Sequence, residues 1–204
     1  MLTSSFNQDS THIALGLRGG WRIFACEPFA PCHAVAESSG IGAISMLFSS
    51  SLLALVGCGE RAGDSPRRLR LWNTTTSSAV FELTFATAVL NVLMNRTRLL
   101  VVLEDATHIF ELLTMRMLHT LDTMPNPRAV AALSVEGEAS YCAVLPPGIN
   151  STGSAEPSAA TSSAGKVGTV LIFDGAQGRP LGSIAAHSSP VARVALSPSG
   201  DTLA

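Results

Sequence analysis

Apolar residues along the chain fall into short runs separated by polar, often glycine-containing turns, and the runs come in pairs. His12–Leu17 leads through Arg18-Gly19-Gly20 into Trp21-Arg22-Ile23-Phe24, and Leu52–Val56 leads through a longer loop into Arg68–Asn73. Leu99–Leu103 passes through Glu104-Asp105-Ala106 into Thr107–Phe110, and Tyr141–Leu145 reaches Gly168–Asp174 after an insertion. Beyond the aromatic that ends each second run comes a turn and another strand, as in Val80–Leu83 and Arg116–Leu121. Runs of this length, bounded by turn residues, predict β-strands joined as hairpins, and helical signals are nearly absent. Ile41–Val56 is mostly apolar, but Ser45, Ser49, Ser50 and Ser51 break it, and it falls short of the roughly 20 residues of a spanning helix. It predicts two buried strands joined at the serines.

The aromatics Phe24, Trp72, Phe110 and Phe173 stand 48, 38 and 63 residues apart and are expected in the core. The last gap contains Gly148–Gly165, a stretch of Ser, Ala, Gly, Thr and Pro that cannot pack a core. Without it, the repeat is roughly 40–50 residues, the period of a propeller blade of four short strands. Asn7–Ala14 opens the first repeat as a turn followed by a strand, and Ser197–Ala204 has the same form. The expectation is an all-β, WD-repeat-like β-propeller over residues 1–204, with about four blades and a fifth just begun at a truncated end.

Composition narrows the function. Of 204 residues, 14% are charged and 47% apolar, so most side chains must find neighbours rather than water. A formal charge of −2 excludes the overall basic excess of a nucleic-acid binder, so any anion site is local. Cys26, Cys32, Cys58 and Cys142 show no metal-ligand spacing, and Met1–His12 has no basic region followed by an apolar core. Both features favour reduced thiols in the cytoplasm, where the sequons at Asn73, Asn95 and Asn150 are chance matches.

Enzymatic motifs lack their context. Gly57-Cys58-Gly59-Glu60-Arg61-Ala62 follows a strand like a dinucleotide fingerprint, but Gly63, Asp64 and Pro66 leave no room for the helix that holds the pyrophosphate. Ser163–Lys166 satisfies S-x-x-K inside the low-complexity insertion, where nothing holds its geometry. The five histidines, His12, His33, His108, His119 and His187, show no metal-ligand pairing. Neither catalysis nor a cofactor is expected.

Several segments together resemble the PROPPIN family of phosphoinositide-binding autophagy proteins. They are Phe6-Asn7-Gln8-Asp9, Gly20-Trp21-Arg22-Ile23-Phe24, Leu47–Leu52, Ser65–Leu71, Leu118-His119-Thr120, Pro125-Asn126-Pro127, Ala132-Leu133-Ser134 and Ala186–Pro190. The resemblance implies a seven-bladed propeller that docks peripherally on preautophagosomal, endosomal or vacuolar membranes bearing phosphatidylinositol 3-phosphate or 3,5-bisphosphate. It also implies an [FL]-R-R-G motif whose arginines serve two headgroup sites, as guanidinium forks suit phosphate oxygens. Arg67-Arg68 lies between Pro66 and Leu69 and is not that motif, which is expected beyond Ala204.

The same resemblance marks particular residues. His187 sits in the stretch that approaches a headgroup site, against the alternative of a turn histidine bonded to backbone. Pro66 and Arg67 match a second-blade loop that contacts the autophagic lipid-transfer protein. Arg96, Arg98 and Arg116 resemble basic positions that bind an acidic segment of the lipid-conjugation machinery. Arg68 and Arg70 alternate on one strand and so share a face, for a partner or for solvent. The alternative function is a generic WD-type protein-interaction scaffold without lipid affinity.

Overall fold

The computed structural model describes residues 1–61, 63–136, 140–148 and 167–204. Nearly all of the low-complexity insertion, the Asn150 sequon, the S-x-x-K match and Ala62 lie outside the described residues. Among the described residues, sixteen strands form four sheets, each a four-stranded meander in chain order. The first holds β1 (Thr3–Phe6), β2 (His12–Leu17), β3 (Gly20–Cys26) and β4 (Phe29–Ala36). The second holds β5 (Ile41–Met46), β6 (Leu52–Gly57), β7 (Arg68–Asn73) and β8 (Ser78–Thr84). The third holds β9 (Asn91–Met94), β10 (Arg98–Val102), β11 (Ala106–Glu111) and β12 (Met117–Asp122). The fourth holds β13 (Ala131–Leu133), β14 (Tyr141–Val144), β15 (Thr169–Asp174) and β16 (Arg179–Ala185). Two compact units emerge, Met1–Val92 with the first two sheets and Leu93–Ala204 with most of the other two. The described residues include no helix, so the glycine motif after β6 enters a loop and then β7.

Burial grades across each sheet and explains the hydropathy pattern. The second strands of the last three sheets, LLALVG, RLLVV and YCAV, are buried on both faces and therefore lack alternation. The fourth strands, β4, β8, β12 and β16, are the exposed edges, which is why their sequences read as polar and mixed. In the first unit the two sheets share a core of Ala14, Trp21, Ile23, Ile41, Ile44, Met46, Leu53 and Leu55. In the second unit Leu100, Ile109, Cys142 and Phe173 pack together, and Val130, Ala132, Ala143, Val170, Val191 and Val194 form a further cluster. Burial pushes the Cys142 thiol up to about 12, so it behaves as a small apolar side chain.

The four repeat aromatics share one backbone feature. Register between the third and fourth strands slips between Ile23 and Phe24, Leu71 and Trp72, Ile109 and Phe110, and Ile172 and Phe173. Three of the four following turns match as well: Ser77, Met115 and Gly178 take positive φ of 50°, 56° and 70°. Asn73 and Asp174 cap these turns, their side-chain oxygens accepting N–H groups two and three residues on. A bulge displaces its side chain from strict alternation, and here the outcome differs between sheets. Phe110 and Phe173 are buried, but Phe24 is half-buried and stacks at 5.2 Å on the exposed Phe29. The expected core role of Phe24 belongs to Trp21, which is 1% exposed.

A polar tie joins the turns of successive repeats within each unit. Gln8 Nε2 donates to Met46 O at 2.7 Å while its Oε1 accepts the Phe48 N–H at 2.5 Å. Asn95 Nδ2 donates to Ser134 O and Ser140 Oγ at 2.9 and 3.1 Å. The Val135 and Glu136 N–H groups donate to Pro198 O at 2.9 and 2.8 Å. The segment Ser197–Ala204 repeats the opening turn: Ser197 N–H to Thr202 O matches Asn7 N–H to His12 O, at 2.9 and 3.0 Å. Leu196 and Leu203 then pair in a short antiparallel bridge. Replacing Trp21 with alanine is expected to cost about 3–5 kcal/mol of stability, and Phe24→Ala less than half of that, as read from urea denaturation midpoints.

Candidate functional site

The candidate recognition residues are arginines on loops (Arg67, Arg96, Arg116) and on strands (Arg68, Arg70, Arg98), and what distinguishes them is whether the fold already engages their side chains. The loop between β6 and β7 is organised by Asp64, which is 3% exposed. Its Oδ2 accepts the Gly40 N–H at 3.0 Å and the Cys58 thiol at 3.3 Å, and its Oδ1 accepts the Arg61 N–H at 2.7 Å. Burial alone would raise this carboxyl, but the backbone donors of Gly40 and Arg61 and the Cys58 thiol outweigh it and hold it below its usual range. The same buried surroundings raise the Cys58 thiol.

From this anchored base the loop presents Ser65, Pro66 and Arg67. Pro66 O accepts the Val89 N–H at 2.8 Å and Arg67 O the Phe85 N–H at 2.9 Å, fixing both carbonyls on the segment after β8. Pro66 is half-buried and Arg67 is exposed. Among the described residues the Arg67 guanidinium has no hydrogen bond or ion pair. Its neighbours on β7 differ. Arg68 donates to Gly63 O and lies 3.9 Å from Glu82, while Arg70 pairs with Glu37 at 2.9 Å and sits 6.0 Å from the Trp72 ring centroid. The side chains of Arg70 and Glu37 are only 17% and 15% exposed, so this pair links the first two sheets and is unavailable to a partner.

In the second unit, the register brings Arg96, Arg98 and Arg116 to one end of the third sheet. Arg98 faces Glu111 across β10 and β11, and the Glu111 N–H donates to Arg116 O at 2.9 Å. Arg96 and Arg116 are exposed, Arg116 beside the exposed Leu113 and Met117. Arg98 is half-buried: its Nε donates to Gly175 O at 2.9 Å and its Nη1 to Thr97 O at 3.1 Å. It therefore fastens the third sheet to the turn after β15, a role its sequence position did not reveal because Gly175 lies 77 residues away.

His187 is exposed, and its N–H donates to Gly168 O at 3.0 Å, as does that of Ala186 at 2.9 Å. Gly168 has φ +82°, and a Cβ there would lie 1.9 Å from His187 O, so only glycine permits this crossing. Gly168 also lines a cleft of about 280 Å³ with Met124, Pro127, Val130, Leu145 and Val191. The described residues contain no group of His, Cys, Asp and Glu able to hold a metal ion. The sequons at Asn73 and Asn95 are engaged in the fold, and Asn95 is buried at 2% exposure. No helix among the described residues is long and apolar enough to cross a membrane.

Two measurements separate anchoring from display. Arg98→Ala is expected to cost about 1–2 kcal/mol through its charge-assisted bond, whereas Arg67→Ala stays within about 0.5 kcal/mol, both by urea denaturation. Because the Asp64 carboxyl is depressed in the folded state, its contribution is fully present above the unfolded value of about 3.9 and is lost as pH falls through the folded one. The gap in urea midpoint between wild type and Asp64→Asn should hold constant at neutral pH and close in acid. A gap unchanged in acid would show that the ionised carboxylate does not anchor the loop.

Comparison with known proteins gives the arrangement a family. A family model described as PROPPIN matches residues 1–204. Autophagy-related protein 18 of Yarrowia lipolytica is 40% identical over 204 residues, covering 98% of this chain and 51% of that protein. Its namesake in Komagataella pastoris is 39% identical over 220 residues, covering 98% and 40%. The chain thus spans about half the length of the curated relatives it matches. Among solved structures, a complex of KlAtg21 with the coiled coil of AgAtg16 superposes with a TM-score of 0.77 at 24% identity, over 98% of this chain and 60% of that one. Kluyveromyces lactis Hsv2 superposes with a TM-score of 0.73 at 15% identity, over 99% and 55%. Four four-stranded antiparallel sheets of this kind are blades of a β-propeller, and the chain belongs to the PROPPIN family.

Proposed function

We propose that the protein is a non-enzymatic adaptor of autophagy that reads 3-phosphorylated inositides and docks autophagy proteins through loops of the blades described above. The observation that carries this reading is membership of a family whose matched relatives are named autophagy-related protein 18. Within each unit the blades act as a frame, and function falls to side chains that the frame leaves disengaged. Arg67 on its anchored loop and Arg116 beside Leu113 and Met117 offer cationic contacts for protein partners, namely the autophagic lipid-transfer protein and the lipid-conjugation machinery. A coiled coil bound to a propeller of the same fold supports a protein partner of this type.

Headgroup recognition is assigned to the whole protein, because these 204 residues contain no F-R-R-G or L-R-R-G sequence. His187 supplies at most an accessory donor, since its backbone is committed to Gly168 while its ring remains exposed. Two weak headgroup sites on one rigid rim bind a membrane far more tightly than either alone. Association with the membrane is peripheral on this reading, at preautophagosomal, endosomal or vacuolar surfaces.

The test uses the protein expressed from its own gene. Flotation with vesicles containing phosphatidylinositol 3-phosphate or 3,5-bisphosphate should exceed flotation with phosphatidylinositol alone by about tenfold. Arg67→Glu and Arg116→Glu should each weaken pull-down of the protein partners while leaving flotation unchanged; Arg98 is a poorer probe because its reversal also strikes a structural bond. Absence of vesicle binding together with intact partner binding would replace this reading with a protein scaffold that has no lipid affinity.

A further inference from the structure

The chain contains three Ser-Pro pairs in view, at Ser65, Ser189 and Ser197, and they are not equivalent. Ser197 is committed to the fold, its Oγ accepting the Thr202 N–H at 3.0 Å in the repeated opening turn. Ser189-Pro190 is followed by Val191 and Ala192, with no cation three positions after the serine. Ser65 opens Ser65-Pro66-Arg67-Arg68, in which proline follows the hydroxyl and an arginine stands third after it. Proline removes the N–H that most kinase clefts must satisfy, and a cation at the third position pairs with an anionic group beside such a cleft. Proline-directed protein kinases that read a basic residue recognise this combination.

The structure adds placement to the motif. Ser65 is partly exposed in the β6–β7 loop, three residues ahead of β7, and its Oγ accepts a single long hydrogen bond, from the Arg67 N–H at 3.3 Å. The loop beneath it is held by Asp64, so Ser65 is displayed from a fixed base. The next residue but one is Arg67, whose guanidinium has no partner among the described residues.

We infer that Ser65 is a phosphorylation site for a proline-directed, basic-directed protein kinase, and that its phosphate neutralises Arg67 as a docking residue. In the reaction Ser65 Oγ attacks the γ-phosphorus of magnesium-bound ATP. The new Oγ–P bond replaces the bond to ADP, the hydroxyl proton passes to the kinase's base, and ADP leaves. The product carries about −1.5 to −2 charges and three strong acceptors. It starts beside the Arg67 amide, with the Arg67 and Arg68 guanidinium groups as cations for charge-assisted bonds. Arg68 would exchange its contacts with Gly63 and Glu82 for the phosphate. An acidic partner then meets a loop of reversed sign. This regulatory half rests on the reading that Arg67 docks a partner; the acceptor assignment does not.

The folded protein, expressed from its own gene, is incubated with a purified cyclin-dependent kinase and Mg-ATP, and phosphopeptides are quantified by mass spectrometry. Phosphate on Ser65 is expected at least tenfold above Ser189 and Ser197. It should be lost in Ser65→Ala, retained in Ser65→Thr, and unchanged in Ser189→Ala. No phosphate on Ser65, or phosphate only after urea unfolding, overturns the site. In a second arm, phosphorylated wild type should bind the protein partner about tenfold more weakly than phosphatase-treated protein, with Ser65→Ala insensitive to kinase. If Arg67→Glu weakens binding but phosphorylation does not, the switch is wrong and docking stands. If Arg67→Glu also leaves binding intact, the docking reading fails, and the switch with it.

Discussion

Face-to-face burial of the inner strands is the constraint on which the rest of this structure depends. A four-stranded meander such as β5–β8 has two apolar faces, and in β6 the residues Leu53, Ala54, Leu55 and Val56 are all at most 1% exposed. Each large side chain so buried contributes roughly 1.5–3 kcal/mol, but only if a neighbouring sheet covers it. Apolar contact is non-directional and would tolerate sliding. The polar ties remove that freedom, because Gln8 and Asn95 each satisfy donors or acceptors on the next repeat only in one alignment. The Asn95 amide is buried at 2% exposure and would be costly if left unpaired, so its register is enforced by penalty as well as by gain.

The repeat was legible in the sequence because its signals are local. Strand pairs, turn residues and the aromatic near the end of each third strand lie within a few positions of one another, and the hairpins β2–β3, β6–β7, β10–β11 and β14–β15 appear where those signals place them, as do β5, β8 and β12. The expectation that failed concerns side-chain direction at irregular backbone. Phe24 occupies the same bulge as Phe110 and Phe173, yet it turns to Phe29 at the sheet edge, and Trp21 fills the core instead.

The candidate site residues could be named from the sequence, but what the fold does with each could not. Arg67, Arg68, Arg70 and Arg98 look alike in sequence, and the fold divides them. Arg70 is consumed by Glu37, 33 residues earlier, and Arg98 by Gly175, 77 residues later, partners that no local pattern could identify. Asp64 was legible only as an obstacle to a helix, whereas it is the residue that gives the β6–β7 loop its shape. A single glycine, Gly168, likewise decides where His187 can stand.

A loop that carries recognition on a rigid frame faces two opposed demands. It must be held well enough that binding does not have to order it, since immobilising side chains and backbone subtracts from affinity. It must also leave its recognition group without an internal partner. On the proposed reading, the β6–β7 loop meets both by dividing the work. Asp64 and the Pro66 and Arg67 carbonyls satisfy the backbone, Arg68 and Arg70 spend their charge on Gly63, Glu82 and Glu37, and only then does Arg67 reach solvent with its charge uncommitted. Arg70 fixes one sheet against the next, and Arg67, three residues away, is left for whatever approaches from outside. The division between groups that hold the fold and groups left to solvent is thus drawn residue by residue within one loop and strand, by which guanidinium the fold has already neutralised.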